Sequence, residues 1–112
     1  MLSERAKKLI ARQQRIYLES MPSKKLAIER CMRQVRAALQ SGETGLCEDL
    51  FQHVHRLAGS AGSYGFEALG QAASLVDRYL IANSPGMGNP AELEVKLQKL
   101  LTEIDNVIQA GD

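Results

Sequence analysis

Hydrophobic residues recur every three or four positions along five segments of the chain, which is the spacing of amphipathic helices. No segment alternates between polar and apolar residues as a β-strand does. Stretches rich in Gly, Pro, Ser and Asn separate the segments, and the clearest of them covers residues 83–90. The pattern predicts helices over 3–20, from about Ser23, from about Thr44 to Ser63, after Phe66, and from Ala91 to about Ala110.

The connections between these predicted helices are short, and short connections place successive helices antiparallel to each other. The sequence therefore predicts an all-α fold, an antiparallel up-down four-helix bundle with an additional N-terminal helix. A chain of 112 residues is long enough for one hydrophobic core, so we expect a single domain over residues 1–112.

Composition narrows the class of protein. The chain is 45% hydrophobic and 24% charged, as in soluble globular proteins, with neither an apolar run long enough for a membrane span nor a visible secretory signal. We therefore expect a cytoplasmic protein that makes no membrane contact. Cys31 and Cys47 lack the spacing of metal ligands and are expected to be reduced, mostly buried thiols.

The third predicted helix carries an unusual histidine. Its apolar stripe is formed by leucine, valine and alanine residues, and His55 falls nearly opposite that stripe. After His55 the same face carries only Ala58, Gly59 and Gly62, although each glycine inside a helix costs roughly 1 kcal/mol relative to alanine. Two explanations remain open. Either the helix packs closely against a neighbour or ends near Gly59, or the bare surface lets another folded protein approach His55.

The residues of this segment resemble a known family. His55-Arg56-Leu57-Ala58-Gly59, followed by small residues, Gly65-Phe66 and Leu69, is similar to the signature of histidine-containing phosphotransfer (HPt) domains, including the phosphotransfer domain of chemotaxis kinases. The resemblance implies that His55 accepts a phosphoryl group from a receiver-domain aspartate or a kinase and passes it to another receiver. It also implies a phosphocarrier without ATP-dependent kinase activity of its own.

One position departs from the family pattern. The family usually has a lysine three residues after the histidine, where it neutralises phosphate charge, and this chain has Ala58. We expect slower transfer or a less stable phosphohistidine as a result, and restoring Ala58→Lys should change the phosphoryl half-life. Arg12 or Arg15 of the first helix would replace the missing charge if that helix covers the site.

Asp77 is the predicted partner of His55. It lies eleven residues after Phe66 and His55 lies eleven before, so the two are level in an antiparallel pair that turns near Phe66. A carboxylate that accepts a hydrogen bond from Nδ1–H fixes the tautomer and leaves Nε2 as the nucleophile. In chemotaxis-type phosphotransfer domains an acidic residue at this spacing has that role. A solvated surface aspartate is the alternative.

The expected partners are receiver domains of response regulators and a sensor histidine kinase, and we expect the chain to be a monomer. Phe51 is either an anchor on the docking surface or a core residue, and Glu48 and Gln52 are either docking or solvated residues. No cofactor is expected on this chain, because Mg²⁺ would belong to the receiver and because His53 and His55 face different sides of their helix. The predicted docking surface consists of Glu48, Phe51, Gln52, Ala58, Gly59 and Gly62.

The charge distribution leaves two alternatives. Residues 1–40 carry a net charge of +7 and residues 41–112 a net charge of −6. The basic stripe would allow nucleic-acid binding, although the chain is nearly neutral overall and lacks helix-turn-helix signals. The other alternative is a non-catalytic helical adaptor. Of the three functions, only phosphotransfer depends on Nε2 of His55. The stripe comprises Arg5, Lys8, Arg12 and Arg15 of the first helix, to which Arg30, Arg33 and Arg36 of the second helix add.

Overall fold

The computed structural model describes residues 1–42 and 48–111, with the backbone alone at Glu48. These residues form helices and connecting turns, without a β-strand among them, so the all-α prediction is confirmed. The elements are α1 (Glu4–Glu19), α2 (Met21–Ser41), α3 (Glu48–Ser60), α4 (Glu67–Asn83) and α5 (Pro90–Ala110), with a 3₁₀ turn at Gly62–Tyr64 between α3 and α4.

Two predicted helix boundaries are wrong. α2 begins at Met21 rather than Ser23, because Pro22 lies in the first turn of the helix, where its missing N–H costs no hydrogen bond. α3 ends at Ser60 rather than Ser63, and the 3₁₀ turn follows it. The expected start of this helix near Thr44 lies outside the described residues, as does Cys47.

One cluster of buried side chains joins the helices α2 to α5. Helix α4 packs against both α3 and α5, and α2 packs against α5. Ion pairs of Lys25 with Asp105 at 2.6 Å and of Arg36 with Glu94 at 3.0 Å show that α2 and α5 run in opposite directions. The largest fully buried side chains are Met21, Ile28, Met32, Leu50, Leu57, Leu69, Leu80, Met87, Leu93, Leu97, Leu100 and Ile104.

Helix α1 lies largely outside this core. Tyr17 is its buried residue, and the Tyr17 ring stacks on Tyr64 with 4.4 Å between centroids. Gln14 Nε2 donates a hydrogen bond to the carbonyl of Tyr64 at 2.9 Å. The first helix is thus anchored at its C-terminal half, against the turn that follows α3. Cys31 is buried, and no helix within the described residues is long and apolar enough to cross a membrane.

Candidate functional site

His55 lies on the outer face of α3 with 63% of its side chain exposed. Its Nδ1 atom is 3.2 Å from Oδ1 and 3.3 Å from Oδ2 of Asp77 on α4. The Asp77 side chain is only 14% exposed, so α4 holds the carboxylate at the edge of the core. The structure therefore brings together His55 and Asp77, which were predicted to be level because they are equally far from Phe66 in the sequence.

The contact defines which nitrogen carries the proton. An ionised carboxylate accepts hydrogen bonds and cannot donate one, so Nδ1–H of the neutral imidazole must donate to Asp77. The lone pair is then on Nε2, which makes no hydrogen bond with any of the described residues. A partly exposed imidazole in this tautomer presents a nucleophilic nitrogen to solvent.

Phe51 lies one turn before His55 and stacks against its ring. The two ring centroids are 5.4 Å apart and the planes differ by 15°. Phe51 itself is half-buried and packs against the hydrophobic core. One side of the ring therefore meets the core, as the core alternative requires, and another side supports the imidazole.

The glycines after His55 are open to solvent. A Cβ atom added at Gly59 or at Gly62 would meet nothing within 4 Å, so packing among the described residues does not require glycine at either position. Close approach of helices instead involves Gly70 on α4, where an added Cβ would lie 3.4 Å from the backbone nitrogen of Gly62. The close packing at Gly70 was not predicted from the sequence, although a glycine at an apolar position of the fourth helix was a signal for it.

The remaining predicted docking residues have different surroundings. Gln52 is exposed, and Ala58 is half-buried against the core. The side chain of Glu48 lies outside the described part of the structure. Ala58 and Gly62 line one side of a groove of about 610 Å³, whose other wall comes from α4. That wall consists of Glu67, Gly70, Gln71, Ser74, Leu75 and Arg78.

Arg12 and Arg15 do not reach this region. Helix α1 contacts α3 through the Tyr17 hydroxyl, which is 2.9 Å from Oγ of Ser60. Ser60 is five residues after His55 and therefore lies about 140° away around the helix. Neither arginine lines the groove beside Ala58. The hypothesis that α1 supplies the positive charge finds no contact to support it.

The described residues contain no group of three or more His, Cys, Asp or Glu side chains that would hold a metal ion. His53 is half-buried, whereas His55 is exposed, in accord with their positions on different faces of α3.

Comparison with protein families gives one match. A family model described as "Hpt domain" matches residues 15–110, which include the last five residues of α1 and all of α2 to α5. Comparisons with curated proteins and with solved structures give no match.

Proposed function

Because the chain belongs to the Hpt domain family, we propose that His55 is its phosphoryl acceptor and that Asp77 orients the imidazole. Membership confirms the family expected from the sequence and implies phosphotransfer in two-component signalling, by a carrier rather than a kinase. The observation that supports His55 in particular is its Nδ1 contact with Asp77 at 3.2 Å. This contact leaves Nε2 as the free nucleophile on an exposed ring.

In the proposed reaction Nε2 attacks the phosphorus atom of a receiver-domain aspartyl phosphate. The bond between phosphorus and the aspartate oxygen breaks while the Nε2–phosphorus bond forms, and the receiver carboxylate leaves with the electron pair. The ring keeps its Nδ1 proton and gains positive charge, which the carboxylate of Asp77 stabilises. Return of the phosphoryl group to the aspartate of another receiver reverses these steps.

Little else is required of this chain, because phosphoryl transfer depends on in-line positioning and on neutralising charge on the equatorial oxygens. We assign Mg²⁺ to the receiver domain, which approaches from outside. In this proposal the chain supplies the nucleophile, its orientation and a surface that a receiver fits against.

The proposed docking surface surrounds His55 on α3 and comprises Glu48, Phe51, Gln52, Ala58, Gly59 and Gly62. The exposure of Gln52, Gly59 and Gly62 supports this assignment, as does the open space above both glycines. A receiver backbone can approach Nε2 closely across a face that carries no long side chains after His55.

For the molecule as a whole we propose an up-down course of α2 to α5, with α1 as the additional N-terminal helix, in one domain. The opposite directions of α2 and α5 support this order. An antiparallel course of α3 and α4 is supported in the same way. His55 of α3 contacts Asp77 of α4, and Gly62, in the turn after α3, lies close to Gly70 of α4. We further propose that the chain acts as a cytoplasmic monomer, with a sensor histidine kinase and receiver domains as partners.

Transfer of labelled phosphate from a phosphorylated receiver domain tests this function. The native chain should take up label that is labile in acid and stable in base, and His55→Gln should take up none. His53→Gln is the matched control and should be labelled like the native chain. Absence of label on a folded native chain with several receivers would overturn the proposal and favour the adaptor or the nucleic-acid-binding function.

A further inference from the structure

The groove between α3 and α4 is lined by a basic side chain, Arg78, to which the phosphotransfer function has not yet given a role. We infer that Arg78 neutralises the negative charge of the phosphoryl group on His55, an inference that rests on the proposed function. Arg78 directly follows Asp77 in α4 and lines the same groove as Ala58.

The positions of α3 one turn from His55 offer no positive charge to a phosphoryl group on Nε2. A phosphoryl group brings three oxygens that share its negative charge, and phosphoryl transfer requires this charge to be neutralised. The residues one turn from His55 on α3 are Phe51, Gln52, Ala58 and Gly59, and none carries a charge. Asp77 adds a negative charge on the other side of the ring. A stabilising cation must therefore come from another helix or from the partner.

The antiparallel register of α3 and α4 places the Arg78 side chain near the position one turn after His55. Contacts of His55 with Asp77 and of Gly62 with Gly70 make Ala58 level with Ser74. A helical side chain leans toward the N-terminus of its own helix, so Arg78 leans from its Cα back toward Ser74. Its side chain thus borders the space left by the short side chain of Ala58, one turn from His55.

Arg78 is also available to bind an anion. It is exposed and forms no ion pair with any described residue, whereas Arg36 pairs with Glu94. The acidic residue of the groove, Glu67, is eleven positions from Arg78, which corresponds to about 16 Å along the helix.

Arg56 is a weaker candidate, although it is adjacent to His55 in sequence. It lies about 100° around α3 from His55. Its charge acts on Lys24 of α2, whose pKa is lowered by burial and by the nearby Arg56. Arg56 therefore lies on a different side of α3 from the groove.

The test uses a small phosphoramidate as the donor, so that no protein partner supplies charge. Uptake of phosphate by the native chain, Arg78→Gln and Arg33→Gln would be followed by ³¹P NMR. Arg33 is a matched control, because it is exposed on α2 and has no ion pair within the described residues. Arg78→Gln should lower the initial rate about fivefold, since an exposed charge-assisted contact is partly screened.

A second readout separates charge from structure. Removing a cation favours the protonated phosphoryl group, so Arg78→Gln should raise the pKa of the phosphohistidine phosphate in a ³¹P titration. Ala58→Lys added to Arg78→Gln places an ammonium group in the same groove and should restore both the rate and the titration. The same lysine in the native chain should change them less.

The outcomes separate the two proposals. If the native chain is labelled and Arg78→Gln matches it and Arg33→Gln in rate and titration, the role of Arg78 is wrong and His55 remains the acceptor. If neither phosphoramidate nor a phosphorylated receiver labels the folded native chain, the phosphotransfer function itself fails, and the role of Arg78 fails with it.

Discussion

The imidazole of His55 is held on two sides by single residues. Asp77 accepts a hydrogen bond from Nδ1–H, and Phe51 stacks on the ring face with centroids 5.4 Å apart. Both partners are themselves fixed, because Phe51 packs against the core and Asp77 follows the fully buried Val76. The ring is therefore held in one orientation although most of its surface is exposed. A nucleophile needs both a fixed orientation and access to its substrate.

At the residue scale, the central prediction concerns Asp77. Asp77→Ala removes the acceptor of the Nδ1–H hydrogen bond, so the neutral ring should populate both tautomers. It should accept phosphate about tenfold more slowly, by analogy with loss of the carboxylate that orients a metal-binding histidine. Asp77→Asn keeps an accepting oxygen without the charge and should give an intermediate rate. Ring ¹⁵N chemical shifts report the tautomer. Rates and shifts identical to those of the native chain would show that Asp77 has no orienting role.

At the element scale, the outer face of α3 at Gly59, one residue before the helix ends, is open to solvent, whereas Leu57 and Ala58 pack inward. Gly59→Ala should be accommodated and stabilise the helix by up to about 1 kcal/mol, because the added Cβ meets nothing and alanine is the better helix former. Gly59→Trp should retain helical structure but block transfer from a receiver. Urea unfolding and receiver transfer measure the two effects. Transfer at the native rate by Gly59→Trp would contradict the docking surface.

The connection from α4 to α5 provides a second prediction at this scale. Gly88 has φ of 66°, and a Cβ atom there would lie 2.7 Å from the hydroxyl of Tyr79. That hydroxyl accepts a hydrogen bond from Asn89 N at 2.7 Å. A substitution at Gly88 would therefore disturb this hydrogen bond in addition to straining the backbone. Gly88→Ala should lower the free energy of unfolding by about 2 kcal/mol.

Gly86→Ala is the control for this substitution. Its added Cβ would meet Asn83 O at 3.7 Å, an ordinary contact, so the expected change is within about 0.5 kcal/mol. Thermal unfolding of the two variants compares them directly. Equal stability of both would show that the connection relaxes without loss.

At the scale of the whole molecule, α1 is joined to the bundle by a small number of contacts around Tyr17. Ser60 donates its single hydroxyl proton to the carbonyl of Arg56 at 2.6 Å, so the Tyr17 hydroxyl is the donor in its 2.9 Å contact with Ser60. Tyr17→Phe should therefore lower the free energy of unfolding by about 1 kcal/mol.

The pH dependence of this loss is a further check on the same variant. Burial raises the pKa of the Tyr17 hydroxyl above its ordinary value of 10.0. The stabilisation from this group is therefore complete below the unfolded-state pKa and is lost as pH rises through the higher folded-state pKa. Urea unfolding should show the native chain approaching Tyr17→Phe at alkaline pH. A gap that stays constant would contradict the raised pKa of the buried Tyr17 hydroxyl.

The sequence predicted the helices and the His55–Asp77 pairing because both follow from regular spacing. Leu50, Val54 and Leu57 are buried at helical intervals, and a single short turn at Gly65-Phe66 places Asp77 level with His55. Such relations need only the rise and the period of a helix.

Other features depend on three-dimensional packing that spacing alone does not reveal. The start of α2 at Met21 depends on tolerance of Pro22 in a first turn, and the end of α3 at Ser60 depends on the 3₁₀ turn that follows. Arg78 and Ala58 line the same groove because the Arg78 side chain points back toward the N-terminus of α4. The position of Arg78 around α4 does not by itself predict this.

The role of His55 Nε2 as phosphoryl acceptor is tested most directly by identifying the phosphorylated atom. The chain, labelled with ¹⁵N at histidine, would be phosphorylated and its ¹⁵N–³¹P couplings recorded, with His53→Gln to assign the two histidines. The proposed mechanism predicts a single phosphoryl group on Nε2 of His55, with Nδ1 still protonated and hydrogen-bonded to Asp77. A phosphoryl group on Nδ1 of His55, or on His53, would contradict it.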